Sequence, residues 1–482
     1  MTYHESSTPQ MTQESISLLK RHRRPFPSAT PQPMLSSNGP RAPNASTLKG
    51  IPPLEGMKDW LLLLGHTVRT TYRYLGTVNR GQADDLDRLN VIHVAGTKGK
   101  GSTCAYVDSF LREHAARHGI SRKIGLYTSP SLWPRHRIRI DSNPLPEDLF
   151  VNRILEVSRG LSLDFGSSAP APQTPGFLQM MAIIAFHTFI KEGVNVVICE
   201  THHGGEFDAT NFIRRPAITA ITKIGMDHVD NLGRSFRDIA WHKTGIFREG
   251  VLALSVPQDP EAADEIKRRA EEKGALLLFV EDVGVEGVPL EQRENCVLAT
   301  QIANRFLQLS GHSLDEGDIA AGIEKCHWAG RFDIVRHPNC TWYLDGAHNE
   351  TSMNVVAEWY ERVTSPRDSV RVLMFAHFSP KRTRDWTRIL GILGASLQTH
   401  ISHVIFVNQI EFDDHFTTPE GWLEEYAQFW ANNWPGSSIY RAASVKDGIN
   451  QAKRFGAGAQ ILVTGSLYLV EAALEIVKTG ST

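Results

Sequence analysis

Residues 93–102 read HVAGTKGKGS, three glycines, two lysines, a threonine and a serine directly after the apolar run LNVIHVA. The run Val91 to Ala95 predicts a buried strand. The stretch STCAYVDSFLREHAARHG that follows carries Cys104, Val107, Leu111 and His114 at helical spacing and closes on Gly119, a candidate C-cap. A strand, a bare and positively charged turn and a helix in that order constrain the chain to an α/β arrangement with a loop suited to phosphate. Peptide N–H groups can close around phosphate oxygens there, a lysine adds a mobile cation, and a Ser or Thr hydroxyl can reach a magnesium ion. The spelling departs from the common G-x-x-x-x-G-K-[ST], because Lys100 is followed by Gly101 and only then by Ser102. A lysine-rich surface turn is the bland alternative, and the strand before and helix after argue against it.

A chain of 482 residues is too long for one core and predicts two or three domains. A formal net charge of −2 with 41% hydrophobic residues leads to the expectation of a folded soluble protein without a nucleic-acid footprint, and fits work on small molecules. The five cysteines, Cys104, Cys199, Cys296, Cys326 and Cys340, form no C-x-x-C pair, so neither a zinc site nor a disulfide framework is expected and a reducing compartment is. No apolar run has the length of a membrane span. The segment KRHRRPFPSATPQPMLSSNGPRAPNAS is rich in Pro, Ser and Arg and reads as a flexible insertion over about 24–50. Its arginines and serines raise a mitochondrial presequence, but Glu5 and Glu14 count against it and the cytoplasm is preferred.

From residue 88 the apolar runs KIGLYTS, VNVVICE, AITAITKIG and VLALSV predict buried strands separated by helices, the pattern of a mainly parallel sheet. The alternation restarts after HWAGRFDIV, with strands at TWYLD, VRVLMFA, HVIFVN, SIYRA and QILVTGS. The restart predicts a smaller doubly wound domain, with domains at 1–328 and 329–482.

Several side chains could work with the phosphate loop. Glu200 ends the strand VNVVICE, where ligands sit in open α/β sheets, and its carboxylate could hold magnesium. HHGGEFDATN follows, and Asp208, Thr210 and Asn211 can order that turn. His202 and His203 are adjacent and point different ways, so substrate contact or plain surface is expected rather than a metal. KIGMDHVDNLG offers Asp227, His228 and Asp230. Lys243 lies in the apolar AWHKTGIF, where lysines usually snorkel or pair, with Asp238 a candidate partner. A desolvated lysine could instead take up carbon dioxide as a carbamate and become an oxygen donor for magnesium.

HVAGTKGKGS, YTSP…RHRIRI, GGEFDATN, IGMDHVDNLG, AWHKTGIF, WAGRFDIV, YLDGAHN and VTGSLYLV occur in an order that resembles the folylpolyglutamate synthases, members of the Mur-type ligases. The resemblance runs from about residue 10 to the end. It implies an N-terminal P-loop-type ATPase domain with a mainly parallel sheet and a smaller C-terminal Rossmann-like domain. It also implies ATP-dependent ligation of L-glutamate to a folate-type carboxylate, in one-carbon metabolism, by a monomer. By the resemblance Gly96, Thr97, Lys98, Gly99, Lys100, Gly101 and Ser102 cradle ATP, Ser102 and Glu200 hold a first magnesium, and His228 with carbamylated Lys243 and Glu200 supports a second. Asn295 matches an ATP-binding asparagine, with Gln292 kept nearby, and Arg331 an arginine that reaches ATP from the domain junction. Asp345 and His348 match nucleotide contacts, and Ser466 falls in a segment associated with the incoming amino acid. Lys100, Lys243, His228 and Arg331 are thereby the expected catalytic set, with closure about a hinge near 328 expelling water.

The departures are uneven. Ser131 stands where the family has the histidine of SPHL, His136 where it has the glutamate of RERI, ICETHHGG where it has VEVGIGG, and Glu291 where it has the histidine of HQRxN. The nucleotide and metal positions are kept while the acyl-substrate side changes. That leaves folate and a different, specialised carboxylic acid both open. A nucleotide-binding protein without ligase activity predicts losses among Lys100, Ser102, Glu200, His228 and Lys243, and none is lost.

Overall fold

The structure, a computed structural model, describes residues 54, 56–68, 84–129, 131, 133–161, 174–281, 285–364, 369–377, 385–408, 421–456 and 458–479. The insertion expected over 24–50 lies outside the described residues. Those described fall into two compact units, drawn from Met1–Ser129 with Trp133–Cys326 and from Pro130–Leu132 with His327–Thr482.

The first unit contains β1 (Ile92–Ala95), β2 (Ile124–Tyr127), β3 (Ile138–Ile140), β4 (Asn143–Pro144), β5 (Val196–Glu200), β6 (Ile218–Ile221), β7 (Leu252–Ser255) and β8 (Leu276–Phe279). They form one sheet in the order β4-β3-β2-β5-β1-β6-β7-β8. From β2 to β8 the pairs are parallel, and β3 and β4 add antiparallel strands at one edge. Every residue of β1, β5 and β6 is buried, as strands covered on both faces require. Val197 and Cys199 of β5 pack into a core with Ile154 and Ile183 of the helices Glu147–Gly160 and Phe177–Lys191. Because side chains alternate along a strand, Glu200 takes the opposite face, where the helix Lys100–Arg117 packs against β5. Strand β8 lies in the apolar run ALLLFV on the sheet's outer edge, where Leu276 and Leu278 are exposed.

The second unit contains β9 (Asp333–His337), β10 (Cys340–Leu344), β11 (Arg371–Phe375), β12 (His403–Val407), β13 (Ser438–Ala442) and β14 (Ala459–Thr464), in the order β13-β12-β11-β14-β10-β9. All pairs are parallel except β9 with β10. Val372 and Met374 of β11 enter one core with the helices Val445–Lys453 and Leu467–Thr479. Leu373 and Phe375 enter the other, with Glu350–Val363, Trp386–Ser396 and Trp422–Asn433. This is a doubly wound sheet, and its ligand crevice is expected at the carboxyl ends of β10, β14 and β11. Among the described residues no helix is long and apolar enough to cross a membrane.

Candidate active site

The glycine loop leaves β1 and enters the helix Lys100–Arg117 through Gly99, which has φ +81°. A Cβ at Gly99 would collide with Asn295 Oδ1, and one at Gly96, φ +146°, with Thr222 Oγ1. Both positions therefore need glycine for conformation and for space. The Thr97 and Lys98 N–H groups donate to Lys223 O at 3.0 and 3.2 Å, and Thr97 Oγ1 donates to Gly225 O at 3.1 Å. Those two amides thus shape the loop rather than face an anion. The helix has no side-chain cap, so its first-turn N–H groups from Lys100 onward are the donors presented to one.

Three charged side chains meet at this loop. Lys100 Nζ lies 3.8 Å from Glu200 Oε1, and Glu200 Oε2 accepts from Ser129 N at 3.1 Å. Lys243, only 2% exposed, donates from Nζ to the Gly96 carbonyl at 2.6 Å. The sequence left Asp238 as its alternative partner; the loop's own backbone takes that place. Burial, reinforced by Lys100, pushes the Lys243 amine down to about 7 against the pull of Asp227, Asp208 and Glu200. Lys98 Nζ is buried without a hydrogen-bond partner among the described residues, and burial pushes it down to about 8, opposed by Asp227. Ser102 is buried in the first turn of the helix.

His228 adopts a left-handed backbone at φ +53°, with its N–H on Asp227 Oδ1 at 2.9 Å. Its ring meets that of His203 edge to face at 4.7 Å between centroids. It therefore neighbours the group through His203 and Asp227. Asn295 abuts Gly99 and donates from Nδ2 to Gln292 Oε1 at 3.1 Å.

Beside Glu200 in the chain lies the turn that Asp208 and Thr210 were expected to order, and they do; its link to Tyr127 through His202 was not foreseen. Asp208 accepts the N–H groups of His202 and His203 at 2.9 and 3.1 Å, and the Thr210 N–H and hydroxyl at 3.0 and 2.8 Å. Burial alone would raise its carboxyl; His202 and these donors hold it well below the usual range. His202 is buried rather than on the surface, its Nε2 2.7 Å from the Tyr127 hydroxyl. His203 is the exposed member of the pair. Glu206 donates its N–H to His242 O at 2.6 Å and pairs with Arg269 and Lys273, tying GGEFDATN to the helix that carries Lys243.

In the second unit the sequence-predicted residues gather where β10 and β14 end. Asp345 is buried and accepts from Phe332 N at 3.1 Å and Ala347 N at 2.9 Å, and burial pushes it up to about 6 against the pull of Arg331. Arg331 donates to Gly330 O at 3.2 Å. His348 donates from Nδ1 to Gly346 O at 2.7 Å. Ser466, buried, follows Gly465, whose N–H reaches Ala347 O at 3.1 Å. His377, just beyond β11, donates from Nδ1 to Gly465 O at 3.1 Å; nothing in the sequence pointed to it.

No protein-family model matches the chain. Among curated proteins it is 34% identical over 459 residues to a folylpolyglutamate synthase of Neurospora crassa, covering 86% of each chain. It is 33% identical over 384 residues to a probable folylpolyglutamate synthase of Schizosaccharomyces pombe, covering 76% of this chain and 72% of that one. Among solved structures, the Mycobacterium tuberculosis folylpolyglutamate synthase complexed with ADP and AMPPCP superposes with a TM-score of 0.70 at 23% identity, over 88% of this chain and 95% of that one. Motif order, the two α/β units and identity sustained over most of the length agree: the chain belongs to the folylpolyglutamate synthase family.

Proposed function

We propose that the chain is an ATP-dependent ligase that adds L-glutamate to a folate-type carboxylate through an acyl phosphate. The observation that carries this reading is the convergence of Lys100, Glu200 and Lys243 on an uncapped glycine-loop helix. A carboxylate is a poor acyl donor because its leaving group would be oxide. Transfer of the ATP γ-phosphoryl forms a bond from phosphorus to a carboxylate oxygen and breaks the bond to ADP. The glutamate amine then attacks the acyl carbon, loses a proton and expels phosphate. Two anions must meet in the first step, and Lys100 with the first-turn N–H groups offsets their repulsion and holds the transferring phosphoryl.

Magnesium, when bound, supplies the positive charge that draws phosphate and carboxylate oxygens together. The oxygen donors fit it, Ser102 with a hydroxyl and Glu200 with a buried carboxylate, while the imidazole of His228 is an uncommon magnesium ligand whose place rests on the resemblance. Lys243 as an ammonium offers no lone pair, but an amine pushed down to about 7 is neutral often enough to bond the carbon of carbon dioxide and release a proton. The resulting carbamate adds two oxygens. Gly96, Gly99 and Gly101 keep the loop close to the phosphates, Thr97 and Lys98 shape it, and Asn295 lines it. Arg331, Asp345 and His348 complete the nucleotide contacts in this reading, and Ser466 serves the incoming glutamate. The reading includes a monomer in the cytoplasm.

A second reading, the same chemistry on another carboxylic acid, is favoured by one observation. His202, in a stretch where the family has VEVGIGG, is locked between Tyr127 and Asp208. ADP release with ATP, magnesium, glutamate and one acid at a time tests both. Turnover that needs acid and amine together, and is fastest with a folate, supports the first reading; ADP release indifferent to both contradicts ligation.

A further inference from the structure

The helix that starts at the glycine loop ends, some 14 residues and ~21 Å beyond Lys100 by helical rise, in a cluster that ligation does not use. His114 and His118 are one helical turn apart and share a face. Asp318, fully buried in the first turn of the helix Glu316–Lys325, faces them both. Its Oδ2 lies 2.8 Å from His114 Nδ1 and 3.3 Å from His118 Nε2. Three such ligand atoms, all within 4.8 Å of one another, are the makings of a metal site.

We propose that His114, His118 and Asp318 bind a borderline divalent transition metal of the Zn2+ type, with a water in the fourth position. A tetrahedral ion with bonds of about 2.0–2.1 Å sets its ligands roughly 3.3 Å apart; the Asp318–His118 separation matches that, and the 2.8 Å Asp318–His114 contact has to open by roughly 0.5 Å as the ion displaces the proton between them. Two imidazoles and one carboxylate suit zinc, cobalt or nickel and not magnesium or calcium. His114 is 2% exposed and turns Nδ1 to the Asp318 carboxylate, so Nδ1 is the ring atom offered to the cluster. Arg117 donates from Nε to the other Asp318 oxygen at 2.8 Å, and Asp315 N donates to Oδ2 at 3.1 Å, which fix the carboxylate as outer partners of metal ligands do. The Asp315 carboxylate, 3.6 Å from His118 Nε2, adds negative charge that offsets the Arg117 guanidinium. His118, 41% exposed at its side chain, opens the site to solvent and gives the ion its path. Bound there, the metal clips the helix of the glycine loop to the last helix of the first unit.

The test titrates the full chain, stripped by chelator and returned to a magnesium buffer, with Zn2+ by calorimetry and with Co2+ by visible absorption. The expected result is one tight equivalent of Zn2+, and for Co2+ the intense bands of a four-coordinate ion. His118→Ala, a change at an exposed side chain, should weaken that equivalent by about tenfold or more, since even outer partners of metal ligands are worth that much. Ligation turnover should not change. Asp318→Asn provides a second variant, judged by the Co2+ spectrum once circular dichroism shows it folded. Zn2+ binding that is absent in the wild-type chain, or identical in His118→Ala, overturns the proposal.

Discussion

Lys243→Met is expected to make the protein more stable and nearly inactive. In the folded chain the Lys243 amine is pushed from an ordinary 10.5 to about 7, chiefly by burial. Between those values the unfolded chain binds more protons than the folded one, so wild-type stability rises with pH across that window. Below about pH 7 the whole penalty is present, on the order of 5 kcal/mol by linkage. Methionine removes it at similar volume, but deletes the donor to the Gly96 carbonyl, at a cost of about 1–3 kcal/mol. A net gain of about 2–4 kcal/mol remains at pH 6.5. It should vanish near pH 9.5, where the wild-type lysine is neutral in the fold and little of the penalty is left. Urea denaturation of both full chains at the two pH values, in buffer freed of carbon dioxide, reads this directly. Ligation, assayed in parallel with bicarbonate, should fall by about 10²–10³ or more, as for loss of a group aimed at developing charge. A variant no more stable than wild type at pH 6.5, or an advantage that persists unchanged at pH 9.5, would refute the reasoning.

Lys100→Ala should lower ligation turnover of the folded variant by about 10²–10³, at a stability cost of up to about 3–5 kcal/mol because the buried Glu200, 3.8 Å away, loses its cation; steady-state kinetics near wild type would count against the loop assignment. Glu200→Gln should raise the magnesium concentration for half-maximal rate by about tenfold or more, and an unchanged magnesium titration would remove Glu200 from the metal site. Gly99→Ala forces a side chain into φ +81° and against Asn295, with strain of about 1–2 kcal/mol before the collision is counted. Nucleotide affinity by calorimetry should fall by about tenfold or more; unaltered affinity would show that the loop does not hold ATP.

The loop from Gly96 to Ser102 was legible in the sequence because its chemistry is local: glycines, cations and a hydroxyl fall within one turn between strand and helix. Glu200 was legible for the same reason, a charge placed where an apolar strand stops. Lys243 was legible as a buried lysine but not in its contact, since the Gly96 carbonyl is 147 residues away along the chain. Asp208 was legible as the residue that orders its own turn, because its partners lie within six residues, whereas the Tyr127–His202 contact was invisible because 75 residues separate the two and no spacing rule joins them. His377 was invisible because a histidine after a strand is ordinary until the fold sets it against Gly465. Strand β8 was not among the expected strands although ALLLFV is a continuous apolar run; what the run could not show is that it lies at the sheet's edge with Leu276 and Leu278 exposed. Local pattern thus fixed which residues could do chemistry, while long-range pairing decided which of them are held in place.

The most direct measurement is the mass of the product. The full chain is incubated with ATP, magnesium, L-glutamate and a reduced folate, and the acid is analysed by mass spectrometry alongside ADP and phosphate. The account predicts a folate heavier by one glutamyl unit, formed in step with one ADP and one phosphate and absent when glutamate is withheld. ATP consumed with no glutamyl adduct on folate or on any other carboxylic acid offered would contradict it.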